Sequence, residues 1–122
     1  MINNKRETRD FVQDILNEIR DIDQFMKNVS YEQFCGNKEK MKAVEMSIVN
    51  IGEAANKILE HKPEWKTKYP DIPWADIIGM RIRVVHFYFG TDYKIVFDTA
   101  KDDIPKLKPQ IEKLFSNEYS AK

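Results

Sequence analysis

Between residues 41 and 58 the apolar side chains Met41, Val44, Ile48, Ile51, Ala55 and Ile58 recur at steps of three and four. That period matches one face of an α-helix and neither face of a strand, where side chains alternate. So regular a stripe must be covered, and the stretch from Thr8 to Met26 can cover it. There Phe11, Ile15, Ile19, Ile22 and Met26 repeat at four, four, three and four, broadened by Val12 and Leu16. Four glycines and five prolines in 122 residues are too few turn formers for an all-β chain. The expectation is an all-α antiparallel bundle of four to five main helices in one domain spanning 1–122. Its two long helices should cover about residues 10–26 and 38–60.

The second long helix is not polar on its far side. Met46 and Val49 lie there, about 180° from the main stripe and close to Glu53. A helix that is apolar on two faces is packed on both, so a second subunit or a later helix should cover this one. Glu53 becomes a candidate partner for a basic group; a solvated glutamate is the alternative. The connection 28–37 should hold a short helical turn after Ser30, with Cys35 as inert packing. In the connection 61–73, Pro63 and Pro70 bracket a short helix over 64–69. Trp65 and Tyr69 are expected to pin this loop to the body rather than stack on RNA, and His61 to sit at a helix end. Asp92 can cap a helix through about Ala100, with Tyr93, Val96 and Phe97 inward. A last helix starts at Asp102 or Asp103 with Pro105 and carries Ile104, Leu107, Ile111 and Leu114. Pro109 inside it should kink the helix or delay its regular part.

The stretch 74–93 carries the chemistry. Pro73 suits a first helical turn and Gly90 a C-cap, so most of it reads as one helix. Trp74, Ile77, Ile78, Val84 and Val85 share a broad core face, and Arg81 and Tyr88 fall on that same face. A guanidinium keeps its charge and cannot lie unpaired against apolar groups. Either Arg81 meets a carboxylate, or it lines a cleft that receives an anion. His86 lies about 140° round from Arg81 on an ideal helix, so one straight helix does not join the two. Arg83 projects away from Arg81, free for a salt bridge or a further phosphate contact.

Several function classes drop out. Twenty basic and twenty acidic residues balance, so bulk charge gives no nucleic-acid affinity and RNA contact would need a local patch. One cysteine excludes an intrachain disulfide framework and a cysteine-based zinc cluster. Two distant histidines make a poor metal set, and there is no glycine-rich phosphate loop or nucleophile motif. The expectation is no metal and no cofactor. With no leader-like segment and no long apolar run, the default compartment is the cytoplasm, without membrane attachment.

The residues Arg81-x4-His86-x-Tyr88 stand with the upstream Ile72-Pro73-Trp74 and the run Ile51-Gly52-Glu53-Ala54-Ala55. This set resembles the HEPN superfamily, and within it the HepT-like ribonuclease toxins, over nearly the whole chain. One position departs: the residue after the motif arginine is commonly polar in that family, and here it is Ile82. The resemblance implies catalytic roles for Arg81 and His86 and a supporting one for Tyr88, beside which Glu53 and Arg83 are candidates by their helix positions. RNA carries its own nucleophile, the 2′-hydroxyl. An imidazole can act as general base, and a guanidinium fork can stabilise the phosphate charge. A 2′,3′-cyclic phosphate product is implied, and a homodimer with a composite cleft. Also implied is a cognate MNT-type nucleotidyltransferase antitoxin that attaches AMP to Tyr88. The alternative reading is a noncatalytic helical module that dimerises and holds a nucleotidyltransferase or its substrate.

Overall fold

The computed structural model describes residues 5–85 and 92–120, and every regular element within them is helical. Helix α1 spans Thr8–Met26, α2 Tyr31–Cys35, α3 Lys38–His61, α4 Trp65–Lys68 and α5 Trp74–Val85. Then come α6 (Tyr93–Asp98), a π-turn (Thr99–Asp103) and α7 (Ile104–Tyr119). Helices α3 and α6 start where a short polar side chain takes up free backbone N–H groups. Asn37 Oδ1 accepts from the Lys40 amide at 3.0 Å, and Asp92 Oδ1 from the Lys94 amide at 3.0 Å. Ser30 and Gln33 bond reciprocally at the start of α2, which closes that short turn as a capping box.

Helices α1 and α3 run antiparallel, as their cross-links fix: Thr8 Oγ1 lies 3.2 Å from His61 Nδ1, and Asn50 Nδ2 donates to Glu18 at 3.1 Å. Between them Val12, Ile15, Ile22, Ile48, Ile51 and Ile58 are fully buried. Helix α7 lies antiparallel on α1, with Lys108 reaching Asp23 near one end and Arg9 over the Phe115 ring near the other. Helix α5 packs on α3 from another side, so α3 is the shared spine. Its main apolar stripe is buried; of the second, Val49 is half-buried against the core and Met46 is exposed.

Some expectations need correction. Cys35 is exposed rather than packed, because the inward side chain of α2 is Phe34. Met80, outside the expected core face of α5, is buried as deeply as Trp74 and Ile77. Pro109 does not delay α7, which starts at Ile104 and holds that proline inside it. The distortion lies upstream. In the π-turn the Ile104 amide bonds to the Thr99 carbonyl, five residues back. That wider turn makes room for Pro105, whose ring would strike the preceding turn of a regular α-helix. Among the described residues no helix is long and apolar enough to cross a membrane.

The connection between α3 and α5 is tied down by polar bonds. The Trp74 indole donates to the Tyr69 carbonyl at 3.1 Å, and Gln110 Nε2 to the Asp71 carbonyl at 2.7 Å. The Tyr69 hydroxyl donates to Glu118, which Lys68 also approaches at 2.7 Å. Burial, then the bond and charge of Glu118, push the Tyr69 phenol up to about 12. Lys68 and the Tyr69 hydroxyl hold the Glu118 carboxyl below its ordinary range. Trp65 is buried as well, so this loop is a strap on the body.

Candidate active site

Gly52 sets how closely the two helices of the site can meet. It is buried in α3 opposite α5, and a Cβ placed on it would stand 3.0 Å from both the Arg81 Cβ and the Ile77 carbonyl oxygen. Any larger residue would hold α5 away. The backbone contact therefore delivers Arg81 directly against α3, one residue from Glu53.

There the choice left open by the sequence is made. Arg81 Nη1 donates to Glu53 Oε1 at 2.9 Å, and Arg81 Nε donates to the Ile78 carbonyl one turn back at 3.2 Å. Two fixed bonds orient the guanidinium plane. Among the described residues Nη2 has no partner. The Arg81 side chain is 27% exposed and that of Glu53 is 51% exposed, so the pair sits at the surface with the arginine stem packed. Such a pair contributes at most about 1 kcal/mol to stability, too little to be its main consequence.

A groove of about 360 Å³ adjoins Glu53 between α1 and α3, lined by Phe11, Asp14, Glu18, Asn50 and Lys57. The larger cavity, about 430 Å³, opens between α5 and α7 over Ile77, Met80, Ile104 and Leu107 and contains neither Arg81 nor Glu53. Two large apolar side chains stand out beside the pair. Ile82 follows Arg81 in the chain and is 49% exposed; Met46, two turns before Glu53 on the same side of α3, is 59% exposed.

Of the residues singled out from the sequence, Arg81 and Glu53 are brought together. The Arg83 side chain, His86 and Tyr88 lie outside the described residues. Among the described residues no group of three His, Cys, Asp or Glu side chains converges as a metal site. Gly52 was part of the motif run, but its role was not legible there. The signal was a glycine within an otherwise strong helical pattern, which marks close packing.

Comparison with known proteins bears on this geometry. The family model described as "HepT-like: Ribonuclease HepT-like" matches residues 15–114. A Methanocaldococcus jannaschii protein named as a putative RNase is 42% identical over 113 residues, covering 93% of this chain and 91% of that protein. The "Probable ribonuclease HepT" of Thermococcus cleftensis is 36% identical over 110 residues, covering 90% and 97%. A further RNase-named protein, from Caldanaerobacter subterraneus, is 31% identical over 110 residues, covering 90% and 96%. No solved structure matches the chain with significance.

Proposed function

This chain belongs to the HepT-like ribonuclease family, and from that membership we propose that it cleaves RNA at a site built on Arg81 and His86. The observation that supports the assignment is the Arg81 guanidinium, oriented by Glu53 and the Ile78 carbonyl with Nη2 left over. Arg81 holds the scissile phosphate and stabilises the charge that builds on its oxygens. The 2′-hydroxyl oxygen attacks phosphorus and the bond to the 5′-oxygen breaks, leaving a 2′,3′-cyclic phosphate and a 5′-hydroxyl. His86 is the imidazole of proton transfer. The substrate supplies the nucleophile, so the step needs no metal-bound water.

In this reading the chain is the toxin of a HEPN/MNT toxin–antitoxin pair and works as a homodimer. Exposed Met46 and Ile82 beside Arg81 and Glu53 suit an interface that brings two clefts together. A nucleotidyltransferase antitoxin attaches AMP to Tyr88. The added phosphate competes for Arg81 and the base obstructs the groove, so RNA is excluded by charge and by shape. Exposed Ile82 also fits the competing reading, a noncatalytic module whose apolar face only holds a partner. The experiment that separates them is cleavage of RNA by purified wild type, Arg81→Ala and His86→Ala, each in EDTA. Wild type should cut, and each variant should lose ~10²–10³-fold while remaining folded by circular dichroism. Loss of wild-type activity on chelation, restored by added metal, would reject the mechanism. A folded wild type that never cuts would favour the noncatalytic module.

A further inference from the structure

The groove beside Glu53 is ill suited to a phosphate. Asp14, Glu18 and Glu53 line it and outnumber Lys57, so a second phosphate there would meet like charge. An uncharged nucleobase would not. At about 360 Å³ the groove lies within the ordinary range for small ligands. Phe11 gives it an apolar wall, and Asn50 of α3 stands in it one helical turn, about 4.5 Å along the axis, before Glu53. That is within one nucleotide of the phosphate assigned to Arg81, whose Nη1 donates to Glu53 at 2.9 Å. Asn50 also shares a stripe of α3 with exposed Met46, four residues back. The groove therefore opens toward the cleft that two copies would share, and each copy brings its own.

One bond orients the Asn50 carboxamide: its Nδ2 donates to Glu18 Oε2 at 3.1 Å. That bond takes one of the two Nδ2 hydrogens and leaves the other beside Oδ1, a donor next to an acceptor. Adenine and cytosine present the complement, an exocyclic amino group beside a ring-nitrogen acceptor. We propose that this groove is a base subsite in which Asn50, oriented by Glu18, selects an amino-bearing base, adenine or cytosine, next to the scissile phosphate. The inference rests on the ribonuclease reading above. Oδ1 accepts from the amino group, and Nδ2 donates to the ring nitrogen. The second amino hydrogen is left for the carboxylates of the groove wall, Asp14 and Glu18. Uracil and guanine carry a carbonyl oxygen where the amino group would be, and that oxygen would be set against those carboxylates. Phe11 covers a flank of the base, as aromatic side chains do for RNA bases splayed out of a helix. No bond is made or broken here, so the subsite acts by choosing which phosphate reaches Arg81.

The test is cleavage of oligouridylates that carry adenosine, cytidine, guanosine or purine riboside at one fixed position, purine riboside being adenosine without its amino group. The ratio kcat/KM is measured at the bonds flanking that position for wild type, Asn50→Ala and Glu18→Ala. Wild type should cut beside adenosine and cytidine ~10-fold to 10²-fold faster than beside uridine or guanosine, chiefly through KM. Purine riboside should fall to the uridine level. Asn50→Ala should bring these rates close together, and Glu18→Ala should narrow their spread, because the amide can then turn. A uniform fall in both variants that keeps the wild-type ratios would make the pair a structural link between α1 and α3 and overturn the proposal. So would purine riboside cut as fast as adenosine, or a wild-type preference for guanosine or uridine. The purine riboside comparison needs wild type alone, so it decides even where a variant fails to fold. A wild type that cuts without preference overturns this subsite and leaves the ribonuclease reading standing. One that cuts none of the oligonucleotides overturns that reading and this inference with it.

Discussion

Replacing Gly52 by alanine separates what holds the fold from what places the site. The new methyl would lie 3.0 Å from the Arg81 Cβ and from the Ile77 carbonyl oxygen, where ordinary contact is 3.4–4 Å. Neither obstacle is the far end of a flexible side chain, so α5 must retreat from α3 by a few tenths of an ångström. Overpacking of this kind costs about 1–3 kcal/mol. Exchanging glycine for alanine in a helix interior returns about 1 kcal/mol. The net loss is then no more than about 2 kcal/mol, a fall in Tm of under about 10 °C. The site is far less forgiving. The guanidinium sits at the end of a long stem on the retreating helix, and misplacing a catalytic group by about 1 Å can cost ~10²-fold. The assay pairs a thermal melt with kcat/KM on RNA: Gly52→Ala should melt no more than about 10 °C below wild type yet cleave ~10-fold to 10²-fold more slowly. A variant that keeps wild-type kcat/KM, or melts higher without loss of activity, would show that the close approach does not position Arg81.

Light scattering at micromolar concentration should give a dimer for wild type and a monomer for Ile82→Glu, whose exposed position spares the core; a monomeric wild type would reject the composite cleft. Incubation with a cognate nucleotidyltransferase, ATP and Mg²⁺ should add one AMP to wild type and none to Tyr88→Phe by peptide mass spectrometry, with RNA cleavage lost in step. Folding raises the Tyr69 phenol from its ordinary 10.0 to about 12, so its contribution to stability is complete below pH 10 and is lost as pH rises toward 12. The Tm difference between wild type and Tyr69→Phe should therefore shrink over that window, and a constant difference would remove Tyr69 as the cause.

The stripes on α1 and α3 were legible because burial repeats at the helical period. Ile15, Ile19, Ile48 and Ile51 are almost wholly removed from solvent, as a sequence of that pattern requires. The start of α6 followed from its polar cap, Asp92, which is a local signal. What stayed hidden depends on two elements meeting. Nothing in the run around Gly52 says that α5 will cross there, and only the crossing turns the missing side chain into a reason for Arg81 to reach Glu53. The same holds for Met80, whose burial on α5 depends on how the helices meet. Pro109 gave no boundary, since α7 starts at Ile104 and runs past it. The π-turn upstream makes room for Pro105, and α7 beyond it carries the second proline.

The strap between α3 and α5 makes the far end of the chain answerable for the site. Glu118, in the last turn of α7, receives both the Tyr69 hydroxyl and Lys68, while the Tyr69 carbonyl receives the Trp74 indole at the first residue of α5. Three links thus run from the C-terminal turn to the helix that bears Arg81. A fusion partner attached after Ser120 leaves these links whole. A deletion that removes Glu118 unfastens the loop just ahead of α5, so the register of Arg81 against Gly52 comes to depend on the strength of a helix end more than thirty residues away.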